Sequence, residues 1–286
     1  MARPFVVALL QMTSGRDRQA NLATVLKAME EAAAGGADLL ATPEMTLLLD
    51  RDRESVRARA YHSEDDPDLV TLATAARRAG LALLVGSAPF LTEDGRLANR
   101  SVLFSREGRC VARYDKIHLF DVDLPGGESW RESNSYRAGD RAVLADLDGT
   151  RIGLSICYDL RFAALYRLLA QAGAGILTVP AAFTRPTGRA HWHVLLRARA
   201  IETGSFVIAP AQTGRHEDGR ETFGHSLIVN PWGEILCDAG EAPGLCLAGL
   251  DLAEVAEARR RIPSLEHDRP FALASAPRDE SKRLPK

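Results

Sequence analysis

Apolar positions fall into two kinds of run that alternate along the first half of the chain. Phe5-Val6-Val7-Ala8-Leu9-Leu10 is unbroken, the pattern of a strand covered on both faces. From Asn21 to Ala34, Leu22, Val25, Leu26 and Met29 recur at i, i+3, i+4 and i+7, one face of a helix that Gly35-Gly36 stops. Asp38 to Ala41 predicts a second strand ending at Thr42-Pro43-Glu44, and a helix over 67–79, closed by Gly80, leads into a strand from Leu81 to Val85. The middle is richer in strands: Ser101 to Phe104, Cys110 to Tyr114, Ala142 to Leu147 and Arg151 to Ile156, with Asp148-Gly149 as a hairpin turn. Beyond Cys157, Leu165, Leu168, Leu169 and Ala172 mark a helix, and Gly175 to Val179 a strand. His191 to Thr203 follows as a helix with Trp192, Leu195, Leu196 and Arg199 on one face and Gly204 at its cap. Phe206 to Ala209, Ser226 to Val229, Glu234 to Leu236 and Leu245 to Leu250 are the last strands. So many strands exceed one small sheet, so the pattern predicts two sheets with helices on their outer faces.

Composition narrows the partners. Thirty-six Lys and Arg against 38 Asp and Glu leave a net charge of -2, without the basic excess that phosphate-backbone binding needs, so no nucleic acid is expected. The N-terminal apolar run is too short to span a bilayer and lacks a charged lead-in, so no membrane is expected either, and the cytoplasm is the expected location. Four cysteines, Cys110, Cys157, Cys237 and Cys246, stand without CxxC spacing and read as free thiols. At 286 residues the chain reads as a single domain with a loose, charged tail after Phe271.

Three segments share one form, a strand-like run ending in a reactive side chain: Leu39 to Glu44, Val111 to Lys116 and Ile152 to Cys157. Ligands collect at the carboxyl ends of strands in α/β folds, so an acid, an amine and a thiol converge there into a hydrolytic set. A thiol must lose its proton to attack, an ammonium favours the thiolate, and a carboxylate takes the proton and returns it to the leaving amine. Lys116 and the backbone N–H of Tyr158, at the start of the next helix, would face the oxyanion. No metal is required. His191 and His193 do not form a metal pair, because i and i+2 on a helix point apart. Phe183 and Thr184, after another strand end, are expected pocket walls, and Arg161, Arg185 and Arg215 are candidate partners for a substrate carboxylate. Glu202 is expected to pair with Arg197 or Arg199.

Pro43-Glu44, Tyr114-Asp115-Lys116-Ile117-His118-Leu119-Phe120-Asp121 and Cys157-Tyr158-Asp159-Leu160-Arg161-Phe162 resemble, in order, the three signatures of the nitrilase or carbon-nitrogen hydrolase superfamily. The resemblance implies a four-layer αββα sandwich over residues 1–271, followed by a tail at 272–286. It implies Glu44 as general base, Lys116 stabilising the tetrahedral intermediate, Cys157 as nucleophile, and Glu132, in preference to Glu128, as a second glutamate. It also implies a small-molecule amide substrate, no cofactor, and a homo-oligomer of two or more subunits. Asp121 to Gly127, Ala190 to Thr203 and Gln212 to His216 are most similar to the deaminated glutathione amidase branch. The alternatives are an omega-amidase acting on 2-oxoglutaramate and, from another class, a non-catalytic binding protein on the same fold. Intact Glu44, Lys116 and Cys157 weigh against the last.

Overall fold

A computed structural model describes residues 3–123 and 129–274. In chain order its elements are β1 (Phe5–Gln11), α1 (Arg18–Ala34), β2 (Leu39–Ala41), α2 (Arg53–Arg59), α3 (Pro67–Ala79), β3 (Ala82–Leu91), β4 (Leu97–Phe104), β5 (Cys110–Asp115), β6 (Asp121–Asp123), β7 (Ser129–Arg131), β8 (Val143–Leu147), β9 (Thr150–Leu154), α4 (Ala163–Gln171), β10 (Ile176–Thr178) and α5 (Arg185–Thr203). The remainder is β11 (Phe206–Ala209), β12 (Thr213–Arg215), β13 (Glu221–Phe223), β14 (Leu227–Val229), β15 (Ile235–Asp238), β16 (Gly244–Leu250) and α6 (Ala253–Arg261).

Helix starts follow local chemistry. Asp17, Asp52 and Asp66 each accept two backbone N–H groups from the first turn of α1, α2 and α3, satisfying donors that a helix leaves open. Gly80 ends α3 at φ 60°, a conformation that glycine adopts without the Cβ clash other residues suffer.

Two six-stranded sheets run β16-β1-β2-β3-β4-β5 and β15-β14-β11-β10-β9-β8. Each is parallel at its centre, β1-β2-β3 in one and β9-β10-β11 in the other, and antiparallel at its flanks. Period-two alternation divides β1 between two cores: Val7 and Leu9 pack into the cluster that includes Ile152, Leu154 and Ile176, whereas Ala8 and Leu10 meet Leu22, Val25 and Met29 of α1 and Leu72 of α3. Helices α4 and α5 cover the second sheet through Leu165, Leu169, Trp192 and Leu196, which completes the αββα order. Full burial of one such leucine stabilises the fold by about 1.5–3 kcal/mol.

Several boundaries differ from the sequence pattern. β3 runs on to Leu91 through an irregularity between Val85 and Ala88, and β4 begins at Leu97 rather than Ser101. α5 starts at Arg185, six residues before His191, because Pro186 sits in its first turn, where a missing N–H costs nothing. Leu168, one of the apolar residues that mark α4 in the sequence, is 56% exposed. The short pairs β6–β7 and β12–β13 and the helices α2 and α6 carry too little apolar periodicity to be read. Cys237 of β15 and Cys246 of β16 form a disulfide with Cα atoms 6.3 Å apart, which corrects the expectation of four free thiols. Neighbouring edges of the two sheets bring the pair together, and sequence spacing carries no trace of it. Cys110 and Cys157 are free. Among the described residues no helix is long and apolar enough to cross a membrane. Glu128, the end of the Asp121 to Gly127 segment, and the tail from residue 275 onward lie outside the described residues.

Candidate active site

Each reactive side chain follows a strand end and is held there by backbone contacts. Glu44 lies beyond β2 in a turn where Met45 takes φ 56°. Ser87 of β3 clamps that turn, its hydroxyl accepting from Met45 N at 3.0 Å and its carbonyl from Thr46 N at 2.8 Å. At Gly86 a Cβ would collide with the Thr42 and Pro43 carbonyls, so glycine is what lets β3 approach. Gln212 supports the same turn, donating to the Glu44 carbonyl at 2.9 Å. Lys116 directly follows β5, its N–H bound to Asn99 O at 2.9 Å. Cys157 opens a short 3-10 turn ahead of α4, with φ 50° and its N–H on Pro180 O at 2.9 Å. A left-handed non-glycine residue costs about 1–3 kcal/mol, which the surroundings must offset. Buried Asp159 supplies part of that support, accepting from Ile156 N (2.9 Å), Tyr114 OH (2.7 Å) and His118 N (3.0 Å). The lysine strand and the cysteine turn are thereby tied through one carboxylate.

The three side chains meet, and two further residues join them. Lys116 Nζ lies 2.8 Å from Glu44 Oε1 and 2.9 Å from Glu132 Oε2. Asn99 Nδ2 donates to both carboxylates, at 2.9 Å to Glu44 and 3.0 Å to Glu132. The Ala182 N–H reaches Glu44 Oε2 at 2.9 Å and the Phe120 N–H reaches Glu132 Oε2 at 2.7 Å. Cys157 lies beside Glu44 and Lys116, close enough that both charges act on its thiol. Asn99 went unread in the sequence, where it stands with Arg100 and Ser101 in a mixed polar and apolar run.

Charge within this cluster is shared unevenly. Burial pushes the Glu44 carboxyl upward, but the Lys116 ammonium and hydrogen bonds from Cys157, Lys116 and Asn99 outweigh it and hold the group below its ordinary value. Burial likewise disfavours the Lys116 ammonium, yet the carboxylates of Glu132 and Glu44 keep it charged far into alkali. For Cys157, burial and the adjacent Glu44 anion raise the thiol well above its ordinary 9.0 against the pull of Lys116. Lys116 favours the thiolate, as expected, but burial and the Glu44 carboxylate outweigh it, so the sulfur holds its proton more tightly than a free thiol does.

The carbon-nitrogen hydrolase family matches residues 6–260 of the chain. The chain belongs to that family. A deaminated glutathione amidase from Synechocystis sp. is 42% identical over 271 residues, 93% of this chain and 98% of the relative, and the human omega-amidase is 34% identical over 93% and 95%. Among solved structures, the C. elegans NitFhit protein superposes with a TM-score of 0.87 at 33% identity, covering 94% of this chain and 66% of that longer one. An amidase from Nesterenkonia sp. AN1, with acrylamide added to its active-site cysteine, superposes at 0.76 with 26% identity, covering 91% and 98%.

In this hydrolase the cluster forms the floor of a cavity of about 630 Å³. Tyr158, Phe183 and Thr184 line it, as do Phe120, Trp130 and Tyr136. Its mouth is cationic, with Arg51, Arg53, Arg131, Arg161, Arg185 and Arg220 among the lining residues. Several are committed: Arg131 pairs with Asp123, Arg185 with Glu221 and Glu241, and Arg220 with Asp218. Arg161 instead lies against the rings of Tyr158 and Phe183, 5.8 and 5.5 Å from their centroids, and against His191 Nδ1 at 3.3 Å. Arg215 sits on β12, outside the lining. Glu202 pairs with Arg199 at 2.7 Å, away from the floor, and Trp192 is core, donating to His225 O at 2.8 Å.

Proposed function

We propose that this hydrolase cleaves the amide of a small 2-oxo acid through Glu44, Lys116 and Cys157. The observation that carries the reading is a buried thiol beside the Glu44 carboxylate, with Lys116 Nζ 2.8 Å from the same carboxylate, at the foot of an arginine-mouthed cavity. As Sγ attacks the carbonyl carbon, Glu44 takes its proton. Two of the three Lys116 donors are held by Glu44 and Glu132, leaving a third for the oxyanion beside the Tyr158 N–H. Glu44 then protonates the departing amine, a thioester remains on Cys157, Glu44 deprotonates the water that attacks it, and that proton passes to Sγ as the carbon–sulfur bond breaks and the acid leaves. Glu132 and Asn99 act on substrate only through Lys116 and Glu44, fixing their positions. No cofactor enters the scheme.

The substrate we favour is deaminated glutathione, giving 2-oxoglutarate and cysteinylglycine. The name of the 42% identical relative supports this choice, together with a mouth suited to a carboxylate, where Arg161 is placed to receive it between two rings. The relation to omega-amidase supports a second reading, 2-oxoglutaramate. The same proposal takes residues 1–271 as the hydrolase domain and 272–286 as a tail, in a cytoplasmic homo-oligomer; the family resemblance supports the oligomer. The deciding experiment measures amine release from deaminated glutathione and ammonia release from 2-oxoglutaramate side by side. Higher kcat/KM on the tripeptide derivative is expected. Preference for 2-oxoglutaramate moves the assignment to omega-amidase, and no turnover of either overturns the substrate class.

A further inference from the structure

Away from the cavity floor, the fold gathers two imidazoles and a carboxylate from distant parts of the chain. His193 projects from α5, His225 from the turn between β13 and β14, and Asp238 from the end of β15. Asp238 Oδ2 lies 3.0 Å from His193 Nε2, and Oδ1 lies 2.9 Å from His225 Nδ1. One potential ligand atom from each falls within 4.8 Å of the other two. His191, the other half of the His-x-His sequence, turns instead towards Arg161, as helical spacing requires.

We propose that His193, His225 and Asp238 bind a divalent transition-metal ion of the zinc class. Neutral imidazoles with one carboxylate carry a net charge of -1, and among the described residues no lysine or arginine pairs with Asp238 to compete for it. Two nitrogen donors favour zinc, cobalt, nickel or copper over calcium or magnesium, which take oxygen. Bonds of about 2.0–2.1 Å in tetrahedral array put donor atoms roughly 3.3 Å apart, so the two Asp238–imidazole contacts need to open by only a few tenths of an ångström, while the imidazole nitrogens, within 4.8 Å of each other, draw in around the ion. Three protein ligands leave a position for water, and the side chains are 31%, 22% and 31% exposed, so an ion has a path in.

The donors are also held in place before any ion arrives. His225 adopts φ 56°, a strained conformation for a residue with a Cβ. Its N–H donates to Gly240 O at 2.7 Å, its carbonyl accepts from Trp192 Nε1 at 2.8 Å, and its ring stacks on Phe223 at 4.5 Å. Asp238 Oδ1 takes the Gly240 N–H at 2.9 Å. An ion here would join α5 to the β13–β14 turn and β15. It would also stiffen a wall of the substrate cavity, because the Trp192 ring packs 4.8 Å from that of Phe183.

The test uses the full chain carrying Cys157→Ala, stripped of metal, so that the active-site thiol cannot capture the ion. Zn2+ is titrated by calorimetry, and Co2+ is followed by its visible absorption. One equivalent is expected to bind, with a rise in Tm and Co2+ bands of a four- or five-coordinate site. Adding His193→Ala or, separately, Asp238→Asn should weaken binding by at least about tenfold and remove the Co2+ bands. His193 is a half-exposed helix residue, so its truncation keeps the test valid should substitution at Asp238 disturb the fold. Absence of binding at millimolar Zn2+, or equal affinity with and without His193→Ala, would overturn the proposal.

Discussion

The floor and the mouth of the cavity are built on opposite principles. At the floor, Glu44, Lys116, Asn99 and Cys157 are almost wholly buried and sit at or beside strands, and short hydrogen bonds join Lys116 and Asn99 to Glu44. At the mouth, arginines arrive from several loops and helix ends and pair with carboxylates outside the reacting cluster. The floor has a single arrangement because an unpartnered charge there would be costly, whereas the mouth keeps solvated side chains that can be exchanged at little cost. On the proposed mechanism, chemistry is thus fixed by the sheets and selectivity by what connects them.

Substitutions should separate the two regions. The largest effect is expected for Cys157→Ala, which should cut kcat by at least about 10⁴-fold while leaving Tm close to wild type. Retained turnover would mean the floor is not where bonds break. Next comes Glu132→Gln, isosteric but uncharged, expected to lower kcat by about 10–100-fold with KM little changed. A change confined to KM would move Glu132 to the mouth. Arg161→Met should raise KM for a carboxylated amide by about 10–100-fold, through loss of a charge-assisted hydrogen bond worth about 1.5–3 kcal/mol. Uncharged amides should be hydrolysed as by wild type, and an equal loss on both substrates would break the division.

Smallest in size is a pair of pH effects. Glu44 must be ionised to act and is held below its ordinary 4.5, so the acid limb of kcat/KM should have its midpoint below that value. Cys157 titrates above 9.0 in the fold, so alkylation by iodoacetamide should rise only in alkali, and Lys116→Met should move that rise higher still. An unmoved alkylation profile would place the ammonium away from the sulfur. The sign for stability follows from the same raised thiol: the folded state binds the proton more tightly, so the contribution is complete below about pH 9 and is lost as pH climbs. Thermal melts across that range should show a shallower alkaline decline for Cys157→Ala.

The same division explains what was legible. Leu39-Leu40-Ala41 and Ile152-Gly153-Leu154 read as strands because burial on both faces leaves an apolar run, and the residues after them were marked by their motifs. Asn99 was hidden in Leu97-Ala98-Asn99-Arg100-Ser101, where polar side chains pointing into a catalytic cluster look the same as polar side chains pointing at water. The first turn of α5 was missed at Arg185-Pro186-Thr187-Gly188, whose proline and glycine read as loop; Gly188 is there because the Phe223 ring lies against it. The raised thiol was beyond sequence altogether, since it depends on how deeply Cys157 is buried and how close Glu44 comes to it.

The pairing of β1 with β16 sets a schedule for synthesis. Phe5 lies opposite Leu250, so β1 waits during synthesis for a neighbour 245 positions downstream. At about 5–20 residues per second that is roughly 12–50 s during which one edge of an apolar strand stands open. Nascent chains will need shielding over that interval, and truncation anywhere before β16 leaves the apolar strand β1 as an open edge and a template for aggregation.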